Sequence, residues 1–284
     1  MQIVKTKQEL REWVSRNRAA GEKINLVPTM GFLHEGHFSL IRKAKESGAK
    51  VVVSVFVNPI QFGAGEDYEQ YPRDLERDAK GVEAVGGDLI FAPAVEEMYP
   101  KPLKTSVAVA ELSQKLCGVT RPIHFTGVCT VVSKLLNLVQ PDKAFFGQKD
   151  AQQAAILQTM VADLDMPVAI EMVPIVREKD GLALSSRNVY LSPEERKAAL
   201  VLSASLALAR KKIDSGEKNA LAVKTLIEDF IKQEKLARID YVSVCSYPDL
   251  QDLQEIMPDT LIALAVYIGK TRLIDNIIVR GKEQ

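Results

Sequence analysis

A chain of 284 residues has room for one large domain or two moderate ones and for a sizeable core. Apolar residues at 46% and charged residues at 26% exclude a disordered or fibrous protein. The 37 basic side chains balance the 37 acidic ones, so no overall field favours nucleic acid or an anionic membrane, although a local basic site for phosphate stays open.

The N-terminal stretch "MQIVKTKQELREWVSRNRAAG" mixes charge with apolar residues, has no secretory h-region and no membrane-length apolar span, and is expected to be folded from the start. Next, "KINLVPTM" is a short apolar run ending at Pro28, and "FSLIRKAKESG" places Phe38, Leu40, Ile41 and Ala44 at helical spacing before the stop at Gly48. The β-branched run "AKVVVSVFVNP" follows. Strand, helix, strand with unbroken apolar strands predicts a βαβ unit in a parallel sheet covered on both faces. The alternation continues with "AKGVEAVGG" and "DLIFAP", "TGVCTVVSKLLNLVQ" and "KAFFG", then "DAQQAAILQTMVADLD" and "VAIEMVPIV". The fold class predicted is α/β, a Rossmann-like doubly wound parallel sheet.

Beyond Arg177 the pattern changes. Two long helical stretches run without an intervening strand, from "SSRNVYLSPEERKAALVLSASLALARKKIDSG" to "NALAVKTLIEDFIKQEKL". Ser192, with Pro193 next and Glu195 three residues on, marks a helix start. Three strands close the chain, the last two joined at "GKTR" as a hairpin. These features divide the chain into residues 1–176, a Rossmann-like domain, and residues 177–284, a smaller α+β domain covering the site. Cys117, Cys129 and Cys245 are far apart, odd in number and lack C-x-x-C spacing, which suggests neither a disulfide framework nor a zinc site and fits a reduced, cytoplasmic setting.

In open α/β sheets ligands sit beyond the carboxyl ends of the strands, where "PTMGFLHEGH" leaves a strand and opens a helix. Gly31 and Gly36 permit tight turns, the helix start offers free N–H groups, and His34 and His37 add donors for phosphate oxygens. Such a site either holds a triphosphate or lets a carboxylate or phosphate nucleophile attack it. No G-x-x-x-x-G-K-[ST] and no helix-opening G-x-G-x-x-G occurs, which argues against a P-loop kinase and a dinucleotide dehydrogenase and favours transfer at the α-phosphate. "FFGQKDAQQ" supplies Gly147, Lys149 for phosphate and Asp150 for ribose hydroxyls; "LALSSRN" supplies Ser185, Ser186 and Arg187. Asn58 and Gln61 in "NPIQFG" are neutral amides suited to a hydroxy acid, and "AGEDYEQYPRD" is a candidate lid.

Together "PTMGFLHEGH", "NPIQFG", "YPRD", "RPIHFTGVCTVVSKLLNLVQPDKAFFGQKDAQQ" and "LSSRNVYLS" resemble the pantoate–β-alanine ligase family, within the nucleotidyltransferases of HxGH type. The resemblance implies an AMP-forming ligase: the carboxylate of pantoate attacks the α-phosphate of ATP, and β-alanine then displaces AMP from pantoyl adenylate. It implies magnesium accompanying ATP, and a homodimer, with no nucleic-acid or membrane partner. Carried over residue by residue, it assigns Met30, Gly31, Phe32, Leu33, His34, Glu35, Gly36 and His37 to ATP, with His37 as proton donor and His34 its partner at the phosphates. Gly147, Gln148, Lys149, Asp150, Val176, Leu184, Ser185, Ser186 and Arg187 complete the ATP set, in which Lys149, Ser185, Ser186 and Arg187 also serve the chemistry. Gln61 and Gln153 fall to pantoate, with Gln61 bordering β-alanine; Asn58, Phe62, Val131 and Val132 line the pantoate pocket. The chain departs from the family pattern at Ile123 and Ala151, and His124 is expected to be a structural hydrogen-bonder. A second adenylyl-transferring activity that leaves the nucleotide on its product, and a non-catalytic nucleotide sensor, are the competing readings; a tRNA-charging relative is disfavoured by length and charge.

Overall fold

The structure, a computed structural model, describes residues 1–280. Strands β2 (Ile24–Thr29) and β3 (Lys50–Val55) pair in parallel over six residues, and β2 pairs on its other side with β5 (Lys143–Gly147). With β1 (Gln2–Val4), β4 (Leu89–Phe91) and β6 (Ala169–Val173) the parallel sheet has the order β1-β4-β3-β2-β5-β6. Both faces are covered, which explains why the strands read as unbroken apolar runs. Leu26, Val52, Leu89, Phe91, Ala144 and Phe146 face one core; Val27, Val51, Val53, Ile90 and Phe145, each displaced by one residue, face the other.

Strand β1 (Gln2–Val4) is an addition to the sequence reading. Three residues are too few to show a period, and the strand exists because Gln2, Ile3 and Val4 pair with Leu89, Ile90 and Phe91 at the sheet edge. Helix α1 (Lys7–Ala19) starts at a Thr6–Glu9 capping box and buries Leu10, Trp13 and Val14 at i, i+3, i+4. Helices α2 (Glu35–Lys45) and α3 (Leu75–Ala84) cover one face. The single turns α4 (Val95–Met98) and α5 (Cys117–Thr120) lead to α6 (His124–Val139), and α7 (Ala151–Asp163) follows β5. Twelve of the sixteen residues of α6 are buried, so it is a core helix rather than an amphipathic surface one.

In the second unit, β7 (Ala237–Ser246), β8 (Thr260–Ile268) and β9 (Thr271–Val279) form an antiparallel sheet, with the expected hairpin turn at Gly269 and Lys270. The first helical stretch is broken. The Ser192–Glu195 capping box opens α8 (Pro193–Ala198), the ladder tightens to a bond from Leu202 N–H to the Ala199 carbonyl, and α9 (Leu200–Asp214) continues to α10 (Ala220–Lys232). Alternation along β8 decides the packing: Ile262, Leu264 and Val266 meet Val223, Ile227 and Ile231, while Leu261 and Ala263 join the core that contains α6 and α7. Each such aliphatic side chain contributes roughly 1.5–3 kcal/mol by leaving water.

We propose the division at residues 176 and 177, because strands before it belong to the parallel sheet and those after it to the antiparallel one. Polar ties cross that line: Asn276 Nδ2 donates to the carbonyls of Gln148 and Lys149 at 2.9 and 3.1 Å, and Thr120 and Tyr241 belong to contacts between α5 and β7. All three cysteines are free and buried. Among the described residues no helix is long and apolar enough to cross a membrane.

Gly127 sets how closely α6 approaches the turn at Pro59–Gln61. A Cβ there would lie 2.4 Å from the Ile60 carbonyl oxygen and 2.6 Å from the Gln61 Cα, both backbone atoms. Gly127→Ala should therefore destabilise the protein by about 1–3 kcal/mol, read as a lower chemical-denaturation midpoint. Unchanged stability would show that α6 can retreat without cost.

Candidate active site

Chain reversal at the middle of the sheet creates the site. From β2 the chain winds toward β3 and β4, then returns to place β5 on the opposite side, so the loops leaving β2 and β5 diverge and open a crevice at the switch point. A cavity of about 210 Å³ fills it. The loop after β2 contributes Met30, His34, Gly36 and His37; the turn after β3 contributes Asn58, Gln61 and Phe62. Val131 and Val132 come from α6, Gly147, Lys149 and Asp150 from the end of β5, and Gln153 from α7. The segment after β6 adds Val176, Leu184, Ser185, Ser186 and Arg187.

The β2–α2 loop is wound tightly enough to need left-handed backbone at two positions, Gly31 at φ 84° and Phe32 at φ 51°. A non-glycine residue in that region is strained, and the restraint here is Asp78. Its buried carboxylate accepts the Phe32 N–H at 2.7 Å and the Leu33 N–H at 2.6 Å. Arg77 stacks over the Phe32 ring at 4.6 Å, and the Ser186 hydroxyl donates to the Phe32 carbonyl at 3.4 Å, joining the first and last loops of the site. Sequence patterning found no role for Asp78, which lies on a helix of mixed charge far along the chain; tertiary packing alone brings it to the loop.

Helix α2 begins beneath this turn. The His34 carbonyl accepts from the N–H groups of His37 and Phe38 at 2.8 and 3.0 Å, and the two imidazoles lie 4.1 Å apart between centroids. The main-chain N–H of His34 donates to His37 Nδ1 at 3.3 Å. That bond makes Nδ1 an acceptor, so the neutral ring carries its proton on Nε2. Nδ1 of His34 is buried with no protein partner. Burial lowers His34 to a pKa of about 4, helped by the positive charges of Lys149 and Arg77. Burial, then His34 and Lys149, holds His37 well below the usual histidine range. Both rings are neutral at neutral pH.

Neutral amides line the cavity at the turn after β3. Tyr99 donates to Asn58 Oδ1 at 2.7 Å, Asn58 Nδ2 donates to Gln61 Oε1 at 3.0 Å, and Gln61 Nε2 rests on the Met30 sulfur at 3.1 Å. Asn58 is 1% exposed, so this chain fixes Gln61 while a weak sulfur contact leaves its N–H₂ available to a better acceptor. His124 Nδ1 bonds the Gln61 carbonyl at 3.0 Å, the structural role expected of it, though its ring also lines the cavity. Burial, then the charge of Arg121, brings its pKa to about 4.

The cationic side is held from both units. Lys149 Nζ lies 3.6 Å from Asp150 Oδ2, and the main chain at Gln148 and Lys149 is fixed by Asn276 Nδ2, at 2.9 and 3.1 Å from their carbonyls. Arg187 forks onto Asp67 through Nε and Nη2, both at 2.8 Å. Of the residues picked out by sequence, Gly31, Phe32, Leu33, Glu35 and Gln148 are not on the cavity wall. Leu33 is buried in the core, Glu35 pairs outward with Arg42, and Gln148 turns toward Asn276. Their main chain, rather than their side chains, shapes the site. Ile123 is 50% exposed at the α6 start, and Ala151 is buried where α7 begins. Tyr71, Arg121, Asp78 and Asn276 were missed; for Asn276 the signal was a polar pair, Asp275–Asn276, interrupting an otherwise apolar strand.

Asp78→Ala would leave two buried N–H groups without an acceptor; we expect a loss of about 2–4 kcal/mol of stability and a slower first chemical step, measured by denaturant unfolding and single-turnover kinetics. A variant as stable and active as the parent would dismiss Asp78 as the loop's anchor. His34, His37 and His124 all have depressed folded pKa values, so between about pH 6.5 and 4 the unfolded chain binds protons that the folded one refuses. Stability should fall as pH is lowered through that window, by up to about 1.4 kcal/mol per pH unit per histidine. NMR titration showing any of these imidazoles protonating near pH 6.5 in the folded protein would contradict the assignment.

The family model described as pantoate-beta-alanine ligase matches residues 2–278. A pantothenate synthetase of Pelotomaculum thermopropionicum is 57% identical, over 98% of this chain and 99% of that one. Another, of Heliobacterium modesticaldum, is 53% identical over 98% and 99%. Among solved structures, pantothenate synthetase from Thermus thermophilus superposes with a TM-score of 0.94 at 45% identity, covering 99% of this chain and all (100%) of its own. A pantoate-beta-alanine ligase from Francisella tularensis, complexed with beta-gamma ATP and beta-alanine, gives a TM-score of 0.79 at 33% identity over 98% and 97% of the two chains. With matches of this extent in sequence and in fold, the chain belongs to the pantoate–β-alanine ligase family.

Proposed function

We propose that this ligase joins pantoate to β-alanine in two steps at the single crevice described above. The observation that carries the reading is a single cavity lined both by neutral amides, Asn58, Gln61 and Gln153, and by the phosphate-type set His34, His37, Lys149, Ser185, Ser186 and Arg187. In the first step a carboxylate oxygen of pantoate bonds to the α-phosphorus of ATP and the bond to pyrophosphate breaks. In the second, the nitrogen of β-alanine bonds to the acyl carbon of pantoyl adenylate, the bond to AMP breaks and the amine sheds its proton to solvent.

Neutral imidazoles restrict what the histidines do. His37 presents Nε2–H as a hydrogen-bond donor to phosphoryl oxygen, and its low pKa gives it little tendency to deliver a full proton. His34 acts beside it, and Lys149 and Arg187 neutralise the leaving pyrophosphate. Gln61 and Gln153 hold pantoate against the apolar floor of Phe62, Val131 and Val132. The main chain of the β2–α2 loop and of Gly147–Asp150, with Val176 and Leu184, receives the nucleotide. For the second step, proximity and the reactive mixed anhydride are sufficient driving factors.

Magnesium fits as a companion of the nucleotide. Among the described residues there is no cluster of three or more metal-ligating side chains, while Asp150 brings one half-exposed carboxylate to the cavity beside Lys149. One carboxylate plus phosphate oxygens and water is the usual magnesium environment, so Asp150 would share the ion with ATP. Bound there, the ion offsets triphosphate charge. A cytoplasmic homodimer is proposed on the family likeness alone.

AMP release should require pantoate and β-alanine together; AMP formed equally well as final product without the amine would defeat the ligase reading. His37→Ala should slow pantoate-dependent pyrophosphate release by about 10²–10³-fold with little change in ATP affinity, as expected for one lost transition-state donor. A large rise in the ATP dissociation constant with unchanged turnover at saturation would instead make His37 a binding residue only.

A further inference from the structure

Glu66 and Asp67, neighbours on the loop between the Pro59–Gln61 turn and α3, each place a carboxylate in the fork of an arginine that lines the cavity. Asp67 fills Arg187; Glu66 fills Arg121, with Nε to Oε1 at 2.8 Å and Nη2 to Oε2 at 2.6 Å. A carboxylate in such a fork occupies the geometry that a substrate carboxylate or phosphate would take. The Arg187 seat is accounted for by the leaving phosphates. The first step as proposed above assigns no anion to the Arg121 seat.

Three observations say which anion belongs there. Arg121 sits just before α6 with its side chain 16% exposed, on the wall shared by the main cavity and a smaller one of about 80 Å³. It lies on the Gln61 side: His124, whose imidazole its charge acts on, is bonded to the Gln61 carbonyl at 3.0 Å. Lys149 and Arg187 are the other lysine and arginine side chains that line the main cavity among the described residues, and the ligase reading gives both to the triphosphate. β-Alanine carries a carboxylate that does not react but must enter the cavity with its amine, and a carboxylate removed from water needs a cation.

We propose that Arg121 receives the non-reacting carboxylate of β-alanine, which takes over the fork that Glu66 now fills, and so selects an amine bearing an acid group. This rests on the ligase reading above. It adds the residue that discriminates the second substrate, and it makes the Glu66 loop a carboxylate stand-in that the substrate displaces.

The test separates the two steps. Pantoate-dependent pyrophosphate release is measured without amine, then amide formation is measured with β-alanine and with propylamine, which has the amine and chain but no carboxylate. In Arg121→Gln the KM for β-alanine should rise roughly 10- to 100-fold, and the preference for β-alanine over propylamine should fall by a similar factor, the worth of a charged hydrogen-bonded pair. Pyrophosphate release should stay within about threefold of the parent, since the phosphate seat is separate. Arg121→Lys, which keeps the charge but loses the fork, should recover part of the preference and guards against a folding failure of the glutamine variant. An unchanged amine preference, or a loss confined to ATP or pantoate use, would overturn the assignment of Arg121 alone. Absence of pantoate-dependent pyrophosphate release by the parent protein would remove the ligase reading and this inference with it.

Discussion

One buried carboxylate bonded to two consecutive backbone N–H groups governs the rest of the site. Without Asp78 the turn through Gly31 and Phe32 would hold left-handed backbone at a bulky residue with nothing to offset the strain. With it, the turn delivers the chain to the start of α2 in a single orientation, and everything downstream in that loop follows. His34 takes the cap position, its N–H fixes the tautomer of His37, and the proton of His37 is left on the ring atom free to meet a ligand. Burial does the remaining work by keeping both rings uncharged.

The two units depend on each other through polar contacts rather than through apolar packing alone. Asn276 of β9 holds the carbonyls of Gln148 and Lys149, so the last strand of the chain positions a loop more than a hundred residues earlier, while Asp275 beside it pairs with Arg177 inside the second unit. Both side chains are almost fully buried, which such groups tolerate only when their hydrogen bonds are made. The main chain that carries Lys149 into the crevice is thereby fixed from the second unit.

Charge in the crevice is arranged by what can replace what. The histidines are kept neutral by burial, whereas the forks of the arginines are occupied by loop carboxylates. Asp67 and Glu66 keep two partly exposed guanidinium groups paired, each carboxylate filling a fork whose shape suits any planar anion. The amide wall is held differently, through the Tyr99–Asn58–Gln61 chain, where no charge has to be exchanged.

Local patterns in the sequence determined most of the fold and half of the site. Unbroken β-branched runs, helical spacing of apolar residues and the Ser192–Glu195 cap are short-range features, and they fixed the alternating parallel sheet, the hairpin and the loops that carry His34, His37, Gln61, Lys149 and Arg187. The motifs also sufficed for family membership, because they recur in order along the chain. What only the tertiary structure decided depends on long-range contact. The strand at Gln2–Val4 has no period of its own, the break between α8 and α9 is a matter of backbone geometry, and Asp78, Arg121, Glu66, Asp67 and Asn276 acquire meaning only from partners about 45 to 130 residues away. Protonation belongs to the same class. Nothing in "HEGH" reveals whether its imidazoles are charged; burial under the folded chain makes them neutral, and that determines what they contribute.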